Sequence, residues 1–228
     1  MRLVLLHALP FGGRMWEAQQ QLLPGRTIAP TMYDMGDTLE AWAAGVLELV
    51  GEEPMIVVGC SVGGSVAIEV ARAAPQQVLG MVLVGAKAGV RPERAVRDAG
   101  VEMLEQRGMQ AAWSIYWEPL LGPNTTATTR EAARTMARDQ SVADVVRGVR
   151  AFHDRRDNTA FMNAWDGPLV VISGEHDSAP LSAVTEALGT GRGRQFHRVA
   201  DCGHYVNLEQ PDRFAALVGD AIARFAPT

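Results

Sequence analysis

A serine stands within a short segment of small residues that could present a nucleophile. Gly59-Cys60-Ser61-Val62-Gly63 fits the pattern G-x-S-x-G, directly after an apolar run and directly before a small-residue helical stretch. A sharp strand-to-helix turn projects the serine side chain above a sheet, where helix N–H groups can stabilise a developing oxyanion. We therefore predict Ser61 as a nucleophile. Judged from this motif alone, the alternative is an ordinary glycine-rich strand-to-helix junction in which the serine only caps the helix.

Cys60 is a competing nucleophile because a thiolate is intrinsically the more reactive group. It precedes the apex of the predicted turn. We therefore expect its side chain to point away from a substrate and to fill a small buried space.

A serine hydroxyl also needs a base that takes its proton and an acid that holds the base in one tautomer. His204 follows the last predicted strand, and Gly203 before it frees the loop to turn the imidazole inward; Asp177 follows the preceding strand. The chain order Ser, Asp, His and the placement of all three after the carboxyl ends of strands are typical of α/β folds with this chemistry. We predict Ser61 as nucleophile, His204 as general base and Asp177 as the orienting acid.

Other ionisable residues near these positions have alternative interpretations. Glu175 is an alternative acid, and His176 beside it is interpreted as a surface or supporting histidine. His153 and His197 fall in a predicted helix and strand, where structural roles are expected. Asp201 is expected to shape the histidine loop through an Asx-type turn.

The oxyanion that forms during attack on a carbonyl needs two backbone N–H donors. We predict the N–H of Val62, immediately after the nucleophile, as the first donor. The second is expected from the loop after the first strand, where Leu9 is the best candidate because Pro10 has no N–H. His7 is interpreted as a residue that shapes this loop.

Short apolar runs alternate with helical stretches, a pattern typical of a parallel sheet covered by helices on both faces. We predict an α/β fold with a mostly parallel sheet of about six strands. The predicted strands are Arg2–His7, Arg26–Ala29, Met55–Gly59, Val78–Val84, Leu169–Ser173 and Gln195–Val199. The predicted helices between them are Gly13–Leu23, one from Asp37 or Thr38 to Gly51, Val62–Ala74, Leu181–Leu188 and Pro211–Phe225.

Residues 87–166 lack strand-like runs and are helical in pattern. We predict a helical cap over 87–166, inserted into a core formed by 1–86 and 167–228, because long excursions from compact folds are usually functional covers. Extra helices packed on one flank are the alternative.

Composition narrows the class of protein further. The 228 residues are 47% hydrophobic and 21% charged, which is ordinary for a globular protein. The net charge of −5 gives no basic surface for nucleic acid, and the longest apolar runs are too short to cross a membrane. The chain has two cysteines and neither a CxxC nor an HExxH motif, so we predict no metal and no cofactor. The N-terminus lacks a signal-peptide pattern, which predicts a cytoplasmic protein, and a monomer or a homodimer is compatible with the sequence.

The chain resembles the α/β-hydrolase superfamily, and within it the small esterase and enol-lactone hydrolase branch that contains 3-oxoadipate enol-lactonase. The resemblance covers nearly the whole chain outside the cap. The matching segments are Leu5–Pro10 with Trp16, the Ser61 motif, Gly174–Asp177, Gly203-His204 leading into Leu208-Glu209-Gln210-Pro211, and Asp154–Asp157 ahead of Asp166-Gly167-Pro168. The resemblance implies a triad of Ser61, Asp177 and His204, oxyanion donors at Leu9 and Val62, and an acyl-enzyme mechanism without cofactor or metal.

Three departures from this family are expected to alter local structure. The family's two initial strands are missing, which predicts a six-stranded sheet with an unusual edge. Ala8 stands where glycine is usual, and the glycine-rich turn after the second strand is reduced to Asp34–Asp37. None of these departures removes a catalytic group.

The predicted cap is rich in aromatic residues and methionine, which suit an adaptable apolar pocket. We predict Trp113, Trp117, Phe152 and Met162 as pocket residues and a small to medium-sized ester or lactone with apolar character as the substrate. A thioesterase, a C–C bond hydrolase or lyase, and a ligand-binding module with little turnover are the alternatives.

Overall fold

Six parallel strands form one sheet in the computed structural model, which describes residues 1–90, 94–179 and 182–226. Their order across the sheet is β2-β1-β3-β4-β5-β6. The strands are β1 (Arg2–Leu6), β2 (Thr27–Ile28), β3 (Met55–Cys60), β4 (Val78–Val84), β5 (Leu169–Gly174) and β6 (Arg194–Val199). The predicted α/β fold with a mostly parallel sheet of about six strands is confirmed.

The middle of this sheet is covered on both faces, because every residue of β3 and β5 is buried and successive side chains point to opposite faces. The described α-helices outside residues 87–166 are α1 (Leu39–Val50), α2 (Val62–Ala73), α7 (Ser182–Leu188), α8 (Val206–Glu209) and α9 (Pro211–Phe225). The predicted first residue of α7, Leu181, lies outside the described residues. Helix α1 begins where the hydroxyl of Thr38 accepts a hydrogen bond from the N–H of Ala41, at 3.1 Å.

The helix predicted for Gly13–Leu23 is wrong in type and length. A 3-10 helix spans Gly13–Gln19, and Trp16 within it has non-helical φ and ψ of −102° and 15°. The indole of Trp16 is fully buried and packs against Phe214, with ring centroids 5.7 Å apart. Packing of this side chain therefore overrides the local helical pattern.

The two edges of the sheet differ in length. Strand β2 covers Thr27–Ile28 rather than the predicted Arg26–Ala29, and it pairs with β1 through two residue pairs. Pro30 follows soon after and has no N–H to donate, which limits the strand. Strand β6 forms the other edge, and most of its side chains are partly or fully exposed.

Among the described residues, four α-helices lie in residues 87–166, here called the insertion: α3 (Arg94–Ala112), α4 (Ala127–Arg138), α5 (Val142–His153) and α6 (Thr159–Ala164). A π-helical segment, Trp113–Trp117, and a 3-10 turn, Glu118–Leu120, connect α3 to the rest. We propose that residues 87–166 act as the cap of a core formed by 1–86 and 167–228. Among the helices of the described ranges, none is both long and apolar enough to cross a membrane.

Candidate active site

Ser61 occupies a strained turn between β3 and α2. Its φ and ψ are 55° and −116°, a left-handed conformation that side-chain-bearing residues rarely adopt. The glycines on either side allow the chain to pass close by. A Cβ on Gly63 would lie 2.1 Å from the carbonyl oxygen of Leu6, and one on Gly59 would lie 2.2 Å from that of Gly63. The G-x-S-x-G pattern thus corresponds to a turn that requires both glycines.

His204 and Asp177 meet at the ends of two neighbouring strands, β6 and β5. The His204 Nδ1 lies 2.9 Å from Oδ1 and 3.0 Å from Oδ2 of Asp177. Both side chains are buried, with exposed fractions of 2% and 0%. Because a carboxylate only accepts hydrogen bonds, the proton of the contact is on Nδ1, and in a neutral ring Nε2 is then the nitrogen with the free lone pair. Asp177 is itself fixed, since its Oδ1 also accepts a hydrogen bond from the N–H of Ala179 at 2.9 Å.

Gly85, at the end of β4, allows the histidine to lie against the sheet. It has a φ of 52°, and a Cβ there would lie 2.7 Å from both Cε1 and Nδ1 of His204 and 2.9 Å from Oδ2 of Asp177. The sequence pattern did not single out Gly85 because its neighbours across the sheet are distant in the chain.

Ser61 and His204 line one cavity of about 530 Å³, together with Leu9 and Tyr205. The structure therefore brings the residues predicted as nucleophile and base to one space, with Asp177 behind the imidazole. A cavity of this volume suits a small or medium-sized organic molecule.

The loop that contains Leu9 is held by buried polar contacts. The Nε2 of His7 accepts a hydrogen bond from the N–H of Met32 at 3.0 Å, which agrees with the loop-shaping role expected of His7. Burial lowers the pKa of His7 to about 4. The hydroxyl of Tyr205 donates to the carbonyl of Leu9 at 3.3 Å, and that of Tyr33 donates to the carbonyl of Phe11 at 2.8 Å.

Val62, predicted as the other oxyanion donor, is the first residue of α2. The first N–H groups of a helix have no acceptor within it, so this N–H is available to a ligand. Leu9 lines the cavity that also holds Ser61.

Cys60 is fully buried, and its Sγ lies 4.0 Å from the backbone carbonyl oxygen of His204. Burial, assisted by the negative charge of Asp177, raises the pKa of this thiol well above its usual range. The structure thus places Cys60 as a small internal side chain.

The predicted pocket residues fall into two groups. Trp117 and Phe152 line the cavity. Trp113 and Met162 are buried and lie outside its lining; the ring of Trp113 packs against Phe11, with centroids 6.0 Å apart. All four side chains are apolar, and the sequence alone does not show which of them face the cavity.

The structure places several polar residues relative to the cavity and the histidine loop. His153, expected to be structural, lines the cavity, and so does Lys87, for which no role was predicted. None of the described residues in the lining carries a carboxylate. Asp201 has a left-handed φ of 53°, and its carboxylate accepts a hydrogen bond from the Nδ2 of Asn124 at 3.0 Å, so its contact is with the insertion rather than the expected local Asx turn.

Glu175, His176 and Asp201 offer ligand atoms within 4.8 Å of one another, and all three are exposed. Glu175 already accepts a hydrogen bond from the N–H of Asp201 at 3.0 Å. Exposed groups of this kind are common without a bound ion, so the cluster supports no metal assignment.

Comparison with known proteins places the chain in a family. The family model for the alpha/beta hydrolase family matches residues 3–217, and the chain therefore belongs to that family. The resemblance predicted from the sequence is confirmed.

Two curated relatives are each 26% identical to the chain. Pimeloyl-[acyl-carrier protein] methyl ester esterase of Aromatoleum aromaticum aligns over 96% of this chain and 97% of its own length. The 2-hydroxymuconate semialdehyde hydrolase of Pseudomonas sp. (strain CF600) aligns over 97% of this chain and 86% of its own.

Solved structures share the fold at lower identity. A thermophilic esterase from Thermogutta terrifontis has a TM-score of 0.90 and 24% identity, and the match covers 100% of this chain and 91% of the other. The enol-lactonase from Burkholderia xenovorans LB400 has a TM-score of 0.83 and 21% identity, covering 97% and 90%.

Proposed function

We propose that the protein is a serine hydrolase that cleaves a small to medium-sized ester or lactone with an apolar part. The observation that carries this proposal is the buried contact between Nδ1 of His204 and both carboxylate oxygens of Asp177, in a histidine that shares a cavity with the strained Ser61. A hydrogen-bonded acid keeps the imidazole in the tautomer that accepts a proton at Nε2.

The mechanism has two steps. In acylation, the Ser61 oxygen attacks the substrate carbonyl carbon while its proton moves to Nε2 of His204. The N–H groups of Leu9 and Val62 stabilise the oxyanion, and the tetrahedral intermediate collapses as His204 returns the proton to the leaving alcohol oxygen. In deacylation, water attacks the acyl-enzyme, His204 takes the proton from water and returns it to Ser61, and the acid is released.

The cavity supports the choice of substrate. Trp117, Phe152 and Val149 supply apolar surface around the serine. Val96 and Val184 also line the cavity although their exposed fractions are 51% and 46%, so the apolar surface continues to its mouth. An acyl chain bound there can extend beyond the enclosed volume.

Labelling by a fluorophosphonate probe tests the nucleophile. We expect the wild-type protein to be labelled, Ser61→Ala to lose labelling, and Cys60→Ala, with a change next to the serine, to retain it. A wild-type protein that neither reacts with the probe nor hydrolyses any ester would contradict the proposal and favour a ligand-binding module.

Rates on nitrophenyl esters of increasing chain length, on lactones and on acyl-thioesters test the substrate class. We expect kcat/KM to be highest for esters or lactones with an apolar acyl part. A preference for thioesters above all of them would identify a thioesterase instead.

Hydrolysis of a C–C bond is a second candidate, favoured by curated relatives that are named as hydrolases of 2-hydroxymuconate semialdehyde and 2-hydroxy-6-oxo-2,4-heptadienoate. Lys87 and His153 line the same cavity as Ser61. Turnover of either compound faster than any ester would select this reaction.

A further inference from the structure

The carboxylate of Glu209, at the end of α8, accepts hydrogen bonds from two separate parts of the molecule. Its Oε2 lies 2.8 Å from the N–H nitrogen of Gly122 and 2.6 Å from the hydroxyl of Thr125, both in the insertion. The same oxygen lies 3.1 Å from the nitrogen of Gly203, and Oε1 lies 3.2 Å from that of Tyr205, both in the histidine loop. Four donors therefore converge on one side chain.

The two loop residues bound by Glu209 are the immediate chain neighbours of His204. The N–H of His204 donates to the carbonyl of Leu120 in the insertion, at 2.8 Å. Three consecutive backbone N–H groups are thus held from outside the loop, two by Glu209 and one by Leu120. The direction of the imidazole depends on this backbone, because the loop lies between β6 and α8 and has no ladder of its own.

The insertion and the histidine loop approach each other at backbone distance. A Cβ on Gly203 would lie 2.3 Å from the carbonyl oxygen of Leu120 and 2.4 Å from the nitrogen of Gly122. A Cβ on Gly122 would lie 2.8 Å from the nitrogen of Gly203. Gly203 is therefore needed for close approach. Its φ is not in the left-handed region, so it is not needed for the conformational freedom expected from the sequence.

The insertion side of this contact is reinforced by Arg130 in α4. Its guanidinium donates to the carbonyl of Gly122 at 2.5 Å and to the carbonyl of Thr125 at 3.3 Å. The turn that offers two donors to Glu209 is consequently fixed on its other side.

We propose that Glu209 is a positioning residue for His204 and that it joins the histidine loop to the insertion, so that the cavity wall at Leu120 and the imidazole keep one relative position. This inference rests on the proposed function for its effect on turnover. A carboxylate suits the position because it accepts all four hydrogen bonds, whereas the amide of glutamine would turn an N–H group toward some of these donors.

Glu209→Gln tests the role with a side chain of equal size. The first measurement needs no substrate: proton NMR of the His204 Nδ1–H in its hydrogen bond to Asp177, and amide hydrogen exchange at Gly203 and Tyr205. We expect a shifted or broadened proton resonance and faster exchange. Glu53→Gln is the matched control, because Glu53 is a partly exposed carboxylate paired with Arg2, beside the opposite ends of the strands; it should change neither signal.

The second measurement is steady-state kinetics at a temperature well below unfolding. For Glu209→Gln we expect kcat to fall by about 10- to 100-fold with a smaller change in KM, since a catalytic group displaced by about 1 Å can cost about 100-fold. Unchanged kcat and an unchanged Nδ1–H resonance in a folded Glu209→Gln protein would overturn the proposal, even if the variant melts earlier.

Thr125→Val keeps the proposal testable if Glu209→Gln fails to fold. It removes one donor from the insertion side, so we expect faster amide exchange at Gly122 and Gly203 than in wild type. Unchanged exchange at both amides would overturn the proposal. If the wild type hydrolyses no ester but Glu209→Gln alters the Nδ1–H resonance, the proposed function fails while the positioning role stands.

Discussion

Acidification is expected to weaken the fold through His7. This imidazole is fully buried, and its Nε2 accepts a hydrogen bond from the N–H of Met32. A protonated ring has no lone pair at Nε2, so protonation removes the acceptor and places a charge in an apolar site. Burial accordingly lowers the pKa of His7 from 6.5 to about 4.

The direction of this pH dependence follows from proton binding by His7 in the folded and in the unfolded chain. In the unfolded chain His7 binds a proton below about pH 6.5, whereas in the folded protein it does so only below about pH 4. The unfolded state therefore binds more protons between these values, and the free energy of unfolding falls as the pH falls. At about 1.36 kcal/mol per pKa unit, the gap between the two values corresponds to about 3 kcal/mol. This stability is fully present above about pH 6.5 and is lost by about pH 4.

Urea unfolding of wild type and His7→Gln at pH values from about 4 to 7.5 measures this effect. Glutamine keeps an acceptor but does not titrate, so the difference between the two proteins should change by about 3 kcal/mol across the range. If the difference in unfolding free energy between wild type and His7→Gln stays constant across this pH range, the buried neutral His7 does not contribute as reasoned.

Three substitutions at the site have expected outcomes. Ser61→Gly should abolish turnover and raise the free energy of unfolding by about 1 kcal/mol, because glycine relieves the left-handed strain; urea unfolding that shows a loss would contradict this. Gly85→Ala should reduce kcat by at least about 100-fold, because the added Cβ would meet the ring of His204. Its control is Gly219→Ala, where the added Cβ lies in open space; this variant should keep kcat and stabilise α9 by up to about 1 kcal/mol. Asp177→Asn should lower kcat by about 10⁴-fold without unfolding the protein, because the asparagine no longer selects the productive tautomer; substantial remaining turnover would assign the acid elsewhere.

The parts of the fold that the sequence predicted well are those with strong local patterns. β4 is a continuous apolar run and has the predicted bounds, Val78–Val84. The same holds for α9, which begins at Pro211 and ends at Phe225. The helix predicted for Gly13–Leu23 was wrong because the conformation of Trp16 is set by packing against Phe214, which is distant in the chain.

In the candidate site, too, local sequence patterns identified some residues, and only the three-dimensional structure identified the others. Ser61, Asp177 and His204 could be selected because each follows a predicted strand, and the order of strands then brings their ends to one edge. The wall of the cavity could not be selected in this way. Trp113 and Trp117 are both apolar and buried, and only the three-dimensional course of the insertion separates the one that lines the cavity.

The role of Glu209 could not be predicted from the sequence for a related reason. It belongs to the segment Leu208-Glu209-Gln210-Pro211, which carries part of the family resemblance, but its donors come from residues more than eighty positions away as well as from the adjacent loop. A one-dimensional pattern gives no signal for such a contact.

The ends of the sheet bear on how the protein behaves at high concentration. Unpaired strand edges invite pairing with another chain, which leads to aggregation. Here β2 exposes an edge of only two residues, and the opposite strand, β6, carries the guanidinium groups of Arg194 and Arg198. A short edge on one side and positive charge on the other both disfavour pairing with a strand of another molecule.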